Sequence, residues 1–304
     1  MHRILCLISI FLILPASLHA KTKDTIYQID ASAVPVVNVT IKGEKLRFLV
    51  DLSLPNILIL NPDTAQKLGL KKSGFASMFD PTALVDGKKF KARSAKVQIE
   101  IEGQKKSKTR LYWFEVPYWR GVDGVMGPSG LNADIIEFKL DQSAASPESH
   151  SSHVIKLKSP TNWEIKTPLQ EGKIGIFSSI KLHYAKTRSN IEGTRLLEHL
   201  NLTSVKSSYE PVEREFAIGA SAANYQLKHP LTIFERPVSS LLGQVSLKTA
   251  ESRNQGIEEI VARAKSKKKK KGVSPEIFLG KDAFSNCSKI IFSRKTKSLE
   301  FICH

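Results

Sequence analysis

Two stretches of this chain follow the same order of elements, which indicates an internal duplication. One stretch runs from Asp51 to Leu70 and the other from His183 to Leu202, and the two are equal in length. Each follows an apolar strand, continues into a short helical pattern (62–68 and 194–200) and ends in a Leu-x-Leu exit. Because a repeat constrains the architecture before any local detail does, the sequence predicts two copies of one lobe.

A second pair of landmarks closes each half. Residues 123–131 are followed by the apolar segment 135–138, and residues 277–284 are followed by the apolar segment 290–292. The second half is longer between its landmarks, largely because of a lysine-rich stretch. We therefore predict an N-terminal lobe at 21–141, a Ser-rich flexible linker at 142–153 and a C-terminal lobe at 154–304, with a Lys-rich loop insertion near 250–274.

Apolar and polar residues alternate along the predicted strands. Val97, Ile99 and Ile101 alternate with polar neighbours, which gives one apolar and one wet face. Residues 36–41 and 46–50 are joined by a Lys-Gly-Glu turn and predict a hairpin. Long helical patterns are absent apart from a weak one at 256–264. The sequence thus predicts a mostly β protein.

Residues 1–20 have the pattern of a signal peptide. His2 and Arg3 give a short positive start, an apolar run spans 4–14, and a cleavage site follows at Ala20. The apolar run is short for a membrane span, and no later segment reaches the roughly 20 apolar residues that a spanning helix needs. The prediction is an exported protein, periplasmic or secreted, without a transmembrane span after signal cleavage; an uncleaved anchor is the alternative.

Two cysteines, Cys287 and Cys303, remain after signal cleavage. Two cysteines in an exported chain favour one disulfide. The segments 290–292 and 299–301 predict a hairpin whose turn lies near Lys295, so the two cysteines would lie roughly opposite each other. A structural disulfide is favoured over a redox or metal site.

The net charge of +17 is unevenly distributed, because residues 263–271 supply a substantial part of it. Such a run repels itself and is typical of a solvated loop. Its lysines could contact an anionic surface by non-specific charge, for example lipid or cell-wall polymer. No zinc-finger spacing, RNP-like motif or helix-turn-helix pattern accompanies the run, so no specific nucleic-acid function is expected. The lysines concerned are Lys267, Lys268, Lys269, Lys270 and Lys271.

Five segments, taken together in order, form a recognisable pattern: Val34–Thr40, Phe48–Asp51, Leu68–Leu70, Asp123–Gly127 and Phe278–Asp282. This pattern resembles the two-lobed pepsin/retropepsin-like aspartic peptidases, and the exported bacterial forms in particular. The resemblance implies two pseudo-symmetric acid-protease-like β-barrel lobes with an interlobe cleft, and it covers nearly all of the chain after residue 20.

In that family each lobe contributes one aspartate to a catalytic pair that shares a proton, one member acting as base and the other as acid. The first position here is Asp51, and the equal spans place His183 at the second. Neither Glu192 nor Glu198, downstream on the helical side, is a replacement for the second carboxylate. The residues that flank the two positions also depart from the family pattern: Leu52 and Ser53 in one lobe, Tyr184 and Ala185 in the other.

No cofactor is expected, and no metal, since His183 lacks other ligands at ligand spacing in the sequence. Two functions follow from the resemblance. One is a catalytically degenerate pseudo-peptidase that binds extended polypeptide in the interlobe cleft. The other is an active aspartic endopeptidase that hydrolyses peptide bonds through Asp51, with His183 in one chain or with a second Asp51 in a dimer.

Overall fold

The computed structural model of the chain describes residues 24–54, 57–71, 81–85, 88–140, 151–158, 164–169, 174–212, 215–217, 220–254 and 274–304. The predicted signal peptide at 1–20, most of the predicted linker, the weak helical pattern at 256–264 and the lysines at 267–271 lie outside the described residues.

The described chain is mostly β, as predicted. Its three α-helices are short, and the longest has nine residues. They are α1 (Pro62–Lys67), α2 (Ile191–His199) and α3 (Leu247–Asn254). The strands are β1 (Ile26–Asp30), β2 (Val36–Ile41), β3 (Glu44–Val50), β4 (Leu58–Leu60), β5 (Thr82–Val85), β6 (Lys88–Lys91), β7 (Arg93–Ile101), β8 (Ser107–Trp113), β9 (Gly124–Met126), β10 (Ile135–Lys139), β11 (Ser151–Lys156), β12 (Ile165–Leu169), β13 (Ile174–Ile180), β14 (Arg188–Ser189), β15 (Thr203–Val205), β16 (Glu210–Val212), β17 (Ala220–Ile233), β18 (Arg236–Val245), β19 (Glu276–Leu279), β20 (Cys287–Ser293) and β21 (Ser298–Cys303).

The first lobe is a closed barrel in the order β2-β3-β9-β4-β8-β7. The predicted hairpin is present as β2 and β3, which pair antiparallel. The alternation predicted for β7 is also present, because Val97, Ile99 and Ile101 are buried while Lys96 and Gln98 are exposed. These apolar side chains form the inside of the barrel, as a strand with one wet face requires.

The second lobe repeats this topology pair by pair. β12-β13-β19-β14-β18-β17 takes the place of β2-β3-β9-β4-β8-β7, and each pairing has the same direction as its counterpart. For example, β3 pairs parallel with β9, and β13 pairs parallel with β19. The predicted fold class of two pseudo-symmetric lobes is therefore confirmed. In the part of the chain that the structure describes, the second sheet remains an open path that continues to β15.

A five-stranded sheet in the order β1-β10-β20-β21-β11 joins the lobes. Its centre is the antiparallel pair of β10 and β20, the strands that follow the two closing landmarks. The predicted disulfide is present, and it joins Cys287 of β20 to Cys303 of β21. The predicted linker extends three residues too far, because residues 151–153 begin β11 and pair with β21. Among the described residues, no helix is long and apolar enough to span a membrane.

Candidate functional site

Asp51 follows β3 and is completely buried. Its Oδ1 accepts hydrogen bonds from the backbone N–H of Ser53 (2.8 Å) and from the Ser53 hydroxyl (2.7 Å). Its Oδ2 accepts one from the Tyr118 hydroxyl at 3.2 Å. Burial raises the pKa of Tyr118 well above its usual value, so this hydroxyl keeps its proton and donates it. Both oxygens of Asp51 thus have partners within their own lobe.

The pseudo-symmetric counterpart of Asp51 is Lys181. The N–H of Asp51 donates to the carbonyl of Met126, the last residue of β9. In the same way, the N–H of Lys181 donates to the carbonyl of Leu279, the last residue of β19, and both distances are 2.9 Å. Each residue also opens the same turn, because its carbonyl accepts from the N–H three positions later. The prediction that His183 occupies the second dyad position was therefore wrong by two residues.

Two changes of length in the second lobe explain this error. Asn61 and Asn190 are equivalent, since each precedes its lobe's helix and donates its N–H to the carbonyl of the residue three positions before the end of the closing strand, Asp123 or Glu276. Ten positions separate Asp51 from Asn61, but nine separate Lys181 from Asn190. Helix α1 has six residues and α2 has nine. The shorter turn and the longer helix together make the stretch from Lys181 to Leu202 two residues longer than the stretch from Asp51 to Leu70. Counting back an equal number of residues from Leu202 therefore reaches His183 and not Lys181.

The predicted flanking positions move by the same two residues. Leu52 and Ser53 correspond to Leu182 and His183, rather than to Tyr184 and Ala185. Leu52 and Leu182 are both fully buried, so an apolar side chain follows the residue that opens the turn in each lobe.

The ammonium of Lys181 lies between two carboxylates. Its Nζ is 3.6 Å from Asp51 Oδ2 and 2.5 Å from Glu215 Oε1, and only 6% of the side chain is exposed. Burial alone would lower the pKa of Lys181, but Asp51 and Glu215 outweigh it and hold that pKa well above its usual value. Burial would likewise raise the pKa of Glu215, yet the charge of Lys181 holds it well below the usual value. The three groups form a buried ion-pair network across the lobe interface.

Glu215 reaches the site from a short 3-10 turn, Glu215–Ala217, between β16 and β17. Its Oε1 also accepts a hydrogen bond from the Tyr184 hydroxyl at 2.6 Å. The next residue, Phe216, has a positive φ of 58°. The Phe216 ring lies 5.2, 4.9 and 5.1 Å from three rings of the first lobe, those of Phe90, Phe114 and Tyr118. This aromatic contact holds the turn of the second lobe against the first.

Glu192 and Glu198 are not part of the site. Glu192 forms an exposed ion pair with Arg195 on α2, and Glu198 accepts a hydrogen bond from Tyr225. Sequence reasoning missed both Lys181 and Glu215. Lys181 gave a signal, because it is a lone charge in the apolar run 174–182, and a buried lysine requires a partner. Glu215 gave none, because only the topology brings it close to Asp51.

His183 also lies at the centre, and none of its side chain is exposed. Its ring contacts those of Trp119 (centroids 4.7 Å apart) and Tyr184 (4.5 Å). Burial lowers its pKa to about 4, so the ring is neutral at pH 7. Neither ring nitrogen has a hydrogen-bond partner in the described part of the chain. One ligand atom each from Asp51, His183 and Glu215 lies within 4.8 Å of the others, so the structure does bring residues 51 and 183 together.

A pocket of about 360 Å³ opens in the second lobe beside this cluster. It lies between the chain that follows the Lys181 turn and the edge strand β16. In the described residues β16 pairs only with β17, so its other edge is free. The exposed residues of the pocket lining are Ala185, Lys186, Ser207, Ser208, Glu210, Pro211 and Asn224.

No family model and no curated protein matches the sequence. Among solved structures, the retroviral protease-like domain of Ddi1 from Leishmania major is similar to part of this chain. The identity is 19%, the TM-score is 0.23, and the similarity covers 31% of this chain and 72% of that chain. A similarity of this size transfers no activity or ligand. The duplicated strand pairing described above defines the fold of this chain as two pseudo-symmetric, mostly β lobes.

Proposed function

We propose that this chain is an exported, catalytically degenerate aspartic-peptidase-like protein that binds extended polypeptide beside the lobe interface. The observation that carries the proposal is the position of Lys181 opposite Asp51. Peptide hydrolysis by this class of site needs two carboxyls that share one proton. A permanently charged ammonium 3.6 Å from Asp51 cannot take the place of the second carboxyl.

The polypeptide would bind at the pocket under β16. The edge of β16 away from β17 is unpaired among the described residues, and Pro211 in this strand has no N–H. An extended chain can add to such an edge as a further strand, while a side chain enters the pocket. Lys186 and Glu210, of opposite charge, line the mouth, and this favours a segment with mixed polarity over a strongly charged one.

Export is supported by the predicted signal sequence and by the Cys287–Cys303 disulfide. Disulfides persist in oxidising compartments such as the periplasm or the extracellular space. Alkylation of free thiols in whole cells and in a periplasmic or culture fraction, followed by mass spectrometry of the two cysteines, tests this part. Disulfide-bonded protein without residues 1–20 is expected outside the cytoplasm, and a reduced chain that retains residues 1–20 would contradict it.

An active aspartic endopeptidase is the second candidate, and Glu215 favours it. This residue supplies a second carboxylate that sequence reasoning did not find, with a ligand atom within 4.8 Å of one on Asp51. Activity would require the Lys181 ammonium to leave the pair. It would also require a peptide to reach a carboxylate that is completely buried.

Two assays on the same purified protein separate the candidates. An unfolded, alkylated substrate protein is incubated between pH 3 and 7 and is expected to stay intact by mass spectrometry. A library of extended peptides is screened for binding by fluorescence anisotropy, and Ser208→Trp, which fills the pocket mouth, is expected to weaken the binding at least tenfold. Ser107→Trp, an exposed serine in the first lobe, is the matched control. Cleavage that disappears in Asp51→Asn would establish the peptidase instead.

A further inference from the structure

We propose that Asp51, His183 and Glu215 form a binding site for one divalent transition-metal ion, such as Zn²⁺, that bridges the two lobes. Lys181 is the competing internal cation of this site. The inference goes beyond the proposed polypeptide binding and does not depend on it.

The geometry of the three side chains suits such an ion. One ligand atom from each lies within 4.8 Å of the others, and His183 Nε2 is 4.0 Å from Glu215 Oε1. Around a tetrahedral Zn²⁺ with bonds of about 2.1 Å, ligand atoms are about 3.4 Å apart. Small side-chain rotations therefore close the cluster around an ion, and no change in the backbone is required.

His183 supplies the second observation that points to a ligand. Its side chain is fully buried, it faces the two carboxylates, and both of its ring nitrogens are without a hydrogen-bond partner among the described residues. A buried polar atom without a partner destabilises the folded state. The Lys181 ammonium forms no hydrogen bond with either ring nitrogen in this structure. A metal ion accepts the imidazole lone pair directly.

The charge of the cluster favours a divalent ion over the ammonium. Asp51 and Glu215 together carry two negative charges, and Lys181 supplies one positive charge between them. The ammonium lies where a cation is attracted, so it marks the position of the ion. An imidazole with two carboxylates is a ligand set that Zn²⁺, Mn²⁺ and Fe²⁺ accept, and the general order of affinities places Zn²⁺ above the other two.

Neighbouring residues already hold the ligands in place. The Ser53 backbone N–H and hydroxyl fix Asp51 Oδ1, and the Tyr118 hydroxyl donates to Oδ2. The Tyr184 hydroxyl donates to Glu215. Such outer contacts orient ligands and raise metal affinity. Lys181 has a place to retract, since its ammonium already lies 4.6 Å from the centre of the Phe278 ring.

Equilibrium dialysis against Zn²⁺ tests the proposal, with untagged full-length protein first treated with a chelator. One ion per chain is expected, with a higher unfolding temperature because the ion joins two lobes. His183→Phe keeps an aromatic ring at this position but removes the ligand, and it is expected to weaken Zn²⁺ binding by more than the roughly 10- to 100-fold that loss of an outer-shell partner costs. Lys181→Met removes the competing charge and is expected to strengthen binding at least tenfold. His153→Phe, at a half-buried histidine 3.2 Å from a Glu235 oxygen and outside the cluster, is the matched control and is expected to bind as the wild type does.

The expected increase in Zn²⁺ affinity with Lys181→Met distinguishes this site from non-specific surface binding. Binding at the surface would not change when a buried lysine is replaced. If that variant does not fold, the wild type, His183→Phe and Glu215→Gln decide the question alone. The proposal is overturned if the wild type binds no Zn²⁺ at a ratio of one per chain. It is also overturned if His183→Phe and Glu215→Gln bind as tightly as His153→Phe does.

Discussion

Asp51 and Lys181 occupy equivalent positions in the two lobes, and their charged groups lie 3.6 Å apart at the lobe interface. A duplicated fold brings equivalent positions face to face. Two identical carboxylates there repel each other unless they share a proton, whereas a carboxylate and an ammonium attract each other at any pH between their pKa values. The duplicated fold thus places opposite charges at the contact between its two lobes.

Removal of the ammonium should destabilise the protein. Lys181→Met leaves Asp51 and Glu215 as buried carboxylates without their cation, and breaking a buried ion pair costs roughly 3–5 kcal/mol. Urea unfolding at pH 7 measures the loss. In the folded variant, protonation of one of the two carboxyls relieves their repulsion and the cost of burying a second charge. The pKa of that carboxyl is therefore raised in the folded state. The stability deficit should therefore shrink as the pH falls from 7 towards 4.5.

Lys67→Met is the matched control for that experiment. Lys67 forms an ion pair with Glu44 at 2.7 Å, but both side chains are well exposed, and such pairs contribute about 0–1 kcal/mol. Equal losses for the two variants would show that the buried network does not hold the lobes together.

The pH dependence of stability should reveal two opposing groups. Burial lowers the pKa of His183 to about 4, so the unfolded chain takes up its proton first, and stability is lost as the pH falls from 6.5 towards 4. The shift corresponds to about 3 kcal/mol. Burial raises the pKa of Glu276 to about 7, so the stability it contributes is present below pH 4.5 and is lost as the pH rises through 7. Between pH 4.5 and 6.5 the two slopes partly cancel.

Single variants should separate these slopes. His183→Phe leaves the Glu276 contribution, so stability should fall as the pH rises from 4.5 to 6.5. Glu276→Gln leaves the His183 contribution, so stability should rise over the same range. Urea midpoints at half-unit steps of pH measure both slopes. Glu215 contributes little to them because its folded pKa is lowered, so its stabilising effect is lost mainly as the pH falls below the ordinary carboxyl pKa at the lower edge of this window. Two parallel curves would mean that folding shifts the pKa of neither group.

Features that depend on local sequence patterns could be predicted from the sequence. Features that depend on contacts between residues far apart along the chain could not. The strand alternation at Val97, Ile99 and Ile101 follows from neighbours two residues apart, and it is present. The pairing of Cys287 with Cys303 follows from a single hairpin between them, and it is also present. The duplication was also visible, because its landmarks recur in order.

The register of the second lobe was not predictable in the same way. A shorter turn and a longer helix between Lys181 and Leu202 partly cancel, so spacing alone selected His183. Only the ladder of β13 with β19 shows which residue ends the strand. Glu215 lies far from Asp51 along the chain, and no local pattern connects them. A site assembled from both lobes depends on contacts that periodicity does not encode.

The disulfide should contribute measurably to stability because it closes a loop in the central sheet. Cys287 and Cys303 are 16 residues apart, and closing a loop of this length is worth about 3 kcal/mol in the chain-entropy model. Cys287→Ala with Cys303→Ala should lower the free energy of unfolding by about 2–4 kcal/mol in urea titrations. Addition of a thiol reductant should shift the wild type towards the variant and leave the double variant unchanged. An unchanged wild type under full reduction, verified by alkylation, would contradict this.

Gly280 should be intolerant of any side chain because the backbone of the neighbouring loop occupies the space. A Cβ at Gly280 would lie 2.4 Å from the carbonyl carbon of Lys186 and 2.8 Å from the nitrogen of Thr187. Asp282 holds that loop by accepting from the Thr187 N–H and hydroxyl, both at 2.8 Å, so the loop cannot move without losing these bonds. Gly280→Ala should therefore lower the free energy of unfolding by about 1–3 kcal/mol.

The same substitution should weaken polypeptide binding, because Ala185 and Lys186 of the displaced loop line the pocket. Gly175→Ala is the matched control: the atoms nearest to its added Cβ belong to the flexible side chain of Lys166, which can move aside. Urea unfolding and peptide anisotropy on both variants should show a loss for Gly280→Ala and almost none for Gly175→Ala. Wild-type stability in Gly280→Ala would mean that the loop from Ala185 to Thr187 yields easily, and the pocket would then lack the fixed wall that binding requires.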